Sequence, residues 1–245
     1  MLRSTPAGLV CVAVAVIVAG CGGSGGDSSS ATSKADSTDT VVTAGTQLPA
    51  GCKKVTDPGP RQELTKQTRP KGRLSGSPAT VAMQTNCGSF TITLDADRAP
   101  RTAASFATLV KRGFYDNLQF HRVATTPDGA PFVIQGGDPL TTGLGGPGYT
   151  ITEKPPSDLK YTKYTVAMAR TATEPAGTSG SQFFIVTAPE APLSPTYALV
   201  GKVTSGKDTV DRIAKVPTNG NEAPIVPIVI QKATLEGATL SGSGA

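Results

Sequence analysis

Phe132-Val133-Ile134-Gln135-Gly136-Gly137-Asp138-Pro139 is the stretch on which the fold of this chain turns. Three β-prone apolar positions and a glutamine run into a double glycine and an Asp-Pro, so a strand over 132–136 ends in a tight turn. The pattern repeats outward. Gln119–Val123 precedes it, and Thr165–Ala169, Gln182–Thr187 and Ala198–Val203 follow, each between Gly or Pro turns. Upstream, Thr80–Asn86 and Ser89–Leu94 read as a hairpin around Asn86-Cys87-Gly88, and Ile225–Glu236 offers a last strand. Pro100–Arg112 reads as a helix, with Pro100 in its first turn, an apolar face of Ala103, Phe106, Ala107 and Val110, and Gly113 as its stop. A second helix is expected over Lys207–Lys215. Many short strands, two helices and glycine-rich turns predict a mainly β fold over residues 79–238, a closed antiparallel barrel flanked by helices.

Composition sets the outer limits. The chain has 245 residues, 38% hydrophobic and 17% charged, with 28 Gly and 20 Pro. That supports one sizeable core plus unstructured sequence, while the lack of a Gly-x-y period, of sustained apolar heptads and of more than one long apolar stretch excludes collagen, long coiled coils and multi-span membrane proteins. The net charge is +5. The basic residues are scattered, and Lys53-Lys54 alone stands out. Without a basic stripe and aromatic readout, nucleic acid is not an expected partner.

The N-terminus carries an address. Arg3 precedes an unbroken apolar run from Leu9 to Ala19. As a helix the run rises only about 16 Å, against a hydrocarbon core of about 30 Å, so it fits a signal-peptide core and not a membrane span. Val18-Ala19-Gly20-Cys21 then resembles the lipobox of bacterial lipoprotein signal peptides. The resemblance implies removal of residues 1–20, a diacylglyceryl group on Cys21, and a chain held at the extracytoplasmic face of the cell membrane. An ordinary secretory peptide with a chance cysteine is the alternative. Residues 21–50, rich in Gly, Ser and Thr, read as a disordered tether. Residues 51–78 read as a basic approach segment whose prolines discourage a long helix, with a short helical turn near 63–67. Residues 239–245 read as a disordered tail.

With Cys11 removed and Cys21 lipidated, Cys52 and Cys87 remain. In an oxidising compartment a Cys52–Cys87 disulfide is expected, with two free thiols as the alternative. A single histidine and the lack of any Cys/His cluster argue against zinc.

Five blocks then occur in one order: Phe120-His121-Arg122-Val123; Phe132 to Pro139; Gly143-Leu144-Gly145-Gly146-Pro147-Gly148-Tyr149; Val166-Ala167-Met168-Ala169; and Gly180-Ser181-Gln182-Phe183-Phe184-Ile185, trailed by Leu199-Val200-Gly201-Lys202-Val203. Together they resemble the cyclophilin family over about residues 79–236. The resemblance implies an eight-stranded antiparallel barrel capped by two helices, and peptidyl-prolyl cis/trans isomerase activity without a cofactor or metal. It implies Arg122 as the catalytic arginine and Gln135 as the glutamine that holds it. Phe132, Val133, Phe184 and Leu193 fall at the proline pocket, and Ala169 and Arg170 at the edge that binds peptide backbone. Proline-containing segments of exported polypeptides are the implied partners, met by a monomer.

The chain departs from the family pattern in several places. Ala124–Pro131 is a longer link than usual, and the loop over 170–180 is also long. Pro192 stands where many members have tryptophan, and Tyr197, a further substrate-contact candidate, where many have histidine. No Trp occurs in the chain, so cyclosporin binding does not carry over with the resemblance. These changes leave a non-catalytic proline-peptide binding module as the second reading. His121 is read as structural, because the reaction transfers no obligatory proton and alternation on a strand sets it opposite Arg122.

Overall fold

The computed structural model describes residues 47–241. The expected signal peptide, Cys21, most of the expected tether and the last four residues lie outside the described residues.

Eight strands form the barrel: β1 (Thr80–Thr85), β2 (Gly88–Leu94), β3 (Leu118–Thr125), β4 (Pro131–Gly136), β5 (Thr165–Met168), β6 (Phe183–Val186), β7 (Leu199–Ser205) and β8 (Val229–Glu236). Around the barrel the order is β6-β4-β3-β8-β1-β2-β7-β5, closing back onto β6, with every neighbour antiparallel. Closure leaves no free sheet edge. Helices α1 (Pro100–Lys111) and α2 (Lys207–Ile213) flank it.

The two-residue period of the strands divides their side chains between two apolar clusters. On β6, Phe183 and Ile185 enter the main core, while Phe184 and Val186 enter a second cluster. The same division separates Ile134 from Val133 on β4 and Val166 from Ala167 on β5. That is why β5 and β6 read as continuous apolar runs, in contrast to the alternating β1 and β2. The second cluster becomes one wall of the site.

On β3 the alternation breaks. Phe120 lies opposite Gly136 and Arg122 opposite Gln135, so β3 carries one extra residue at this point. Phe120 and Val123, three apart, both enter the main core. His121 and Arg122 therefore share a β-bulge, and the simple alternation expected to separate them does not operate there.

Helix α1 is buried from Thr102 to Val110, on more than the one face its apolar pattern predicts. The Glu153 carboxylate reaches its N-terminus, accepting from the N–H of Arg101 (3.0 Å) and of Thr102 (2.7 Å), where unpaired donors and the helix dipole favour an anion. At the other end Gly113, at φ 67°, turns the chain in the left-handed conformation that ends many helices.

Residues 51–78, expected as a basic approach segment, lie along the barrel as a fitted strap. The Lys53 N–H donates to Asn86 O (2.7 Å), Gln119 Nε2 to Asp57 Oδ1 (2.6 Å), the Arg61 N–H to Pro139 O (2.6 Å) and the Gln67 N–H to Pro147 O (2.7 Å). A short 3-10 helix spans Gln62–Lys66. Arg73–Ser75 then pairs antiparallel with Thr239–Ser241. The tail is thus ordered at least to Ser241, because backbone pairing satisfies groups that apolar periodicity alone does not reveal. Cys52 and Cys87 are joined in a disulfide, 35 residues apart in sequence.

The last barrel strand begins at Val229, not Ile225. Pro224 and Pro227 bring no N–H to a ladder, and the Ile225 N–H turns to Pro217 O at 3.0 Å. Helix α2 stops at Ile213, two residues short of the expected end.

Candidate active site

Arg122 projects from the bulge on β3, and its guanidinium is held on two sides. Nε donates to Glu222 Oε2 at 2.6 Å, and Nη1 donates to Gln135 Oε1 at 3.2 Å. Gln135 sits on β4 opposite Arg122 and passes the connection on. Its Nε2 donates to Gln182 Oε1 at 2.9 Å. Gln182, just ahead of β6, donates through Nε2 to Gly143 O (3.0 Å) and Gly145 O (2.8 Å) in the glycine-rich loop. That loop is braced by the fully buried Asp138, whose Oδ1 accepts from the Leu140 N–H at 2.7 Å. Arg122 Nη2 has no acceptor among the described residues.

Beside this polar line lies an apolar basin built on the second cluster. Val133 and Phe184 are buried in it, and Phe132, Ala169, Leu193 and Tyr197 pack against it half-buried. Three rings make one wall. Phe184 and Tyr197 meet edge to face at 5.4 Å between centroids, and Tyr161 stands 6.2 Å from Phe184 and 6.1 Å from Tyr197. Such edge-to-face pairs add to the area they bury and fix ring orientation. A groove of about 660 Å³ continues past Gln135 and Gln182, between the glycine-rich loop and Ala169–Thr171.

The sequence-derived residues do not all play alike. Arg122, Gln135, Phe132, Val133, Phe184, Leu193, Tyr197 and Ala169 converge on one region. Arg170 is at the rim but is turned inward. Its Nε donates to Thr196 O (3.2 Å), and Nη1 donates to Thr171 O and Glu174 O (both 2.8 Å). Its guanidinium also lies 5.3 Å from the Tyr197 ring centroid. Arg170 therefore organises the long 170–180 loop and backs Tyr197. Pro192 is exposed.

His121 has both ring nitrogens buried, without a hydrogen-bond partner among the described residues. Burial lowers its pKa; the Asp138 charge opposes that and the Arg122 charge reinforces it. An enclosed imidazole that resists taking up a second proton fits a structural role.

Three site residues carry no role in the sequence reading: Gln182, Glu222 and Tyr161. Gln182 stands inside the quoted Gly180–Ile185 block, so position alone could have raised it. Tyr161 lies in a two-residue strand paired with Glu190–Ala191, and Glu222 in a turn, both too short for a periodic pattern to point to a site.

A guanidinium held on two sides, an apolar cluster with half-buried aromatic side chains, and a closed antiparallel barrel are features fit to hold an X–Pro segment. The family model "Cyclophilin type peptidyl-prolyl cis-trans isomerase/CLD" matches residues 80–235, and the chain belongs to that family. It is an isomerase of the peptidyl-prolyl class. Among its relatives, a peptidyl-prolyl cis-trans isomerase of Arabidopsis thaliana is 35% identical over 161 residues, covering 64% of this chain and 94% of that protein. One from Schizosaccharomyces pombe is 39% identical over 158 residues, covering 63% and 97%. The crystal structure of a cyclophilin-type isomerase of Cryptosporidium parvum, determined in the presence of the dipeptide Ala-Pro, aligns with TM-score 0.58 at 31% identity, covering 64% of this chain and 98% of that one.

Proposed function

We propose that this protein accelerates X–Pro rotation in exported polypeptides, working as a monomer held by a lipid on Cys21 at the extracytoplasmic face of the cell membrane. The proline ring enters the basin of Phe132, Val133, Phe184 and Leu193, with Tyr197 as its aromatic wall. A small apolar pocket with few, fixed polar groups at its edge is what this ligand requires.

The uncatalysed barrier, about 18–20 kcal/mol, is the loss of amide resonance. As the bond twists, the prolyl nitrogen recovers a localised lone pair. A guanidinium donor waiting at that nitrogen is worth little in the planar ground state and more at the top of the barrier, which is the condition for catalysis. An arginine suits the task because its guanidinium presents donors in a rigid, planar fork. The observation that carries this reading is the line Arg122–Gln135–Gln182–Gly143/Gly145, which ties the guanidinium through Gln135 to the glycine-rich loop. No nucleophile, cofactor or proton relay is needed.

The lipid anchor rests on residues 9–21, and the exported setting on that segment together with the Cys52–Cys87 pair. Metabolic labelling with a fatty-acid analogue tests it, with Cys21→Ala expected to abolish both label and membrane retention. The catalytic part is tested with residues 22–245, following cis-to-trans conversion of a short X–Pro peptide in the cold. Arg122→Ala is expected to lower kcat about 10²-fold, the scale for removing one preorganised donor, with affinity changed much less. A folded wild type that gives no acceleration refutes the catalytic reading and leaves a proline-peptide binder.

A further inference from the structure

Glu222 lies a hundred residues from Arg122 in sequence, yet it holds that residue's side chain and its strand together. Its Oε2 accepts from Arg122 Nε at 2.6 Å, and its backbone carbonyl accepts the Val123 N–H at 2.8 Å. One loop residue thus grips both the guanidinium and the bulged strand that carries it.

The backbone at this point is unusual. Glu222 has φ 61°, in the left-handed region where non-glycine residues are uncommon. The loop between α2 and β8 is built to keep it there. Asn219 Oδ1 accepts from the N–H of Asn221 (2.9 Å) and of Ala223 (3.1 Å), and the Glu222 N–H donates to Asn219 O at 3.0 Å. Thr218 bridges to Pro224 beneath. Glycine would adopt this conformation without steric cost. A glutamate held here against its backbone preference points to a task for its side chain, since strained conformations persist where function or packing over-determines them.

That task follows from the geometry of the fork. A planar guanidinium fixed at one nitrogen can still swing. Fixed at Nε by Glu222 and at Nη1 by Gln135, it has one plane, and its Nη2 remains for the substrate. A carboxylate also draws down the positive field of the arginine, so its benefit to the reaction lies in aim and not in charge.

We propose that Glu222 is the positioning residue of the Arg122 guanidinium, setting the direction in which Arg122 meets the twisting prolyl nitrogen. This rests on the isomerase reading above. Two variants of the 22–245 chain separate aim from architecture. Glu222→Gly keeps the backbone conformation and removes the carboxylate, so its unfolding midpoint is expected to be unchanged or higher. Its kcat is expected to fall about tenfold or more, because small misplacements of a catalytic group are costly, with KM changed less than about twofold. Glu222→Gln keeps an acceptor for Nε without the charge, and is expected to recover most of the lost kcat. In parallel, the ¹⁵N–¹H signal of Arg122 Nε is expected to move and to exchange faster with water in Glu222→Gly. Wild type that accelerates rotation, with Glu222→Gly turning over equally fast, overturns the proposal alone. So does an equal loss in both variants with the Arg122 Nε signal unmoved. Wild type without acceleration overturns the isomerase reading first and the proposal with it.

Discussion

The Tyr161 hydroxyl donates to the Tyr197 carbonyl at 2.7 Å and accepts the Tyr197 N–H at 3.0 Å. A phenol therefore does for Tyr197 what a neighbouring strand would do. Burial pushes the Tyr161 pKa up to about 12, so the group stays a donor throughout the working range. Tyr161→Phe removes both bonds at once and leaves a backbone N–H and C=O without their partner. The expected loss of stability is about 1–3 kcal/mol, measurable by urea unfolding. Because the Tyr197 ring meets Phe184 edge to face, its loosening should raise KM severalfold with a smaller effect on kcat.

Gln182 is the hinge between the glycine-rich loop and the arginine. Gln182→Leu preserves much of the volume while cutting both the bond to Gln135 and the two bonds to loop carbonyls. Steady-state kinetics on X–Pro peptides should show kcat/KM reduced about tenfold, comparable to losing about 1.4 kcal/mol of transition-state stabilisation. A thermal midpoint within a few degrees of wild type is expected, since the side chain is only half-buried. Unchanged kinetics would show that Gln135 alone suffices to hold Arg122.

Closing a 35-residue loop, the Cys52–Cys87 bond should contribute about 4 kcal/mol in the chain-entropy account. Cys52→Ser with Cys87→Ser, or reduction of the native chain, should lower the unfolding free energy by about that amount. The strap over residues 53–73 should become the first site cut in limited proteolysis. Loss of stability without new cleavage there would mean that the strap's hydrogen bonds hold it unaided.

His121 sets an acid limit. Burial, the largest influence, lowers its pKa below the ordinary 6.5, with Asp138 acting against and Arg122 with the shift. Below pH 6.5 the unfolded chain takes up a proton that the folded chain resists. This contribution to stability is therefore complete above about pH 6.5 and drains away as pH falls toward the folded-state value. Urea midpoints between about pH 5 and 8 should show that decline, and His121→Phe should flatten it whatever its own absolute stability.

Periodicity is what made the barrel legible. Val81 and Met83 in β1, and Phe90 and Ile92 in β2, alternate inward as their spacing demands. Gly and Pro mark the turns between strands, so the antiparallel order could be anticipated. Where backbone bonds and not apolar spacing decide the structure, the sequence is mute. Arg73–Ser75 and Thr239–Ser241 pair through three-residue strands with one half-buried and one buried leucine between them. The bulge at His121–Arg122 leaves no compositional trace either. For the site, short ordered blocks point to Arg122, Gln135 and Phe184. Glu222 is supplied by distant topology, and its neighbours Asn219, Asn221 and Pro224 suggest only a turn.

The disulfide also decides how the molecule answers to force. Any tension on the chain ahead of Cys52 enters the barrel through sulfur, at the tip of the β1–β2 hairpin, and bypasses the strap altogether. The bonds from Lys53 to Pro147 are then off the load path and cannot be unzipped one after another from the N-terminal end. With the bond intact, a tugged domain keeps its glycine-rich loop, and so the footing of Gln182, undisturbed. With the bond open, the same pull peels the strap toward the site.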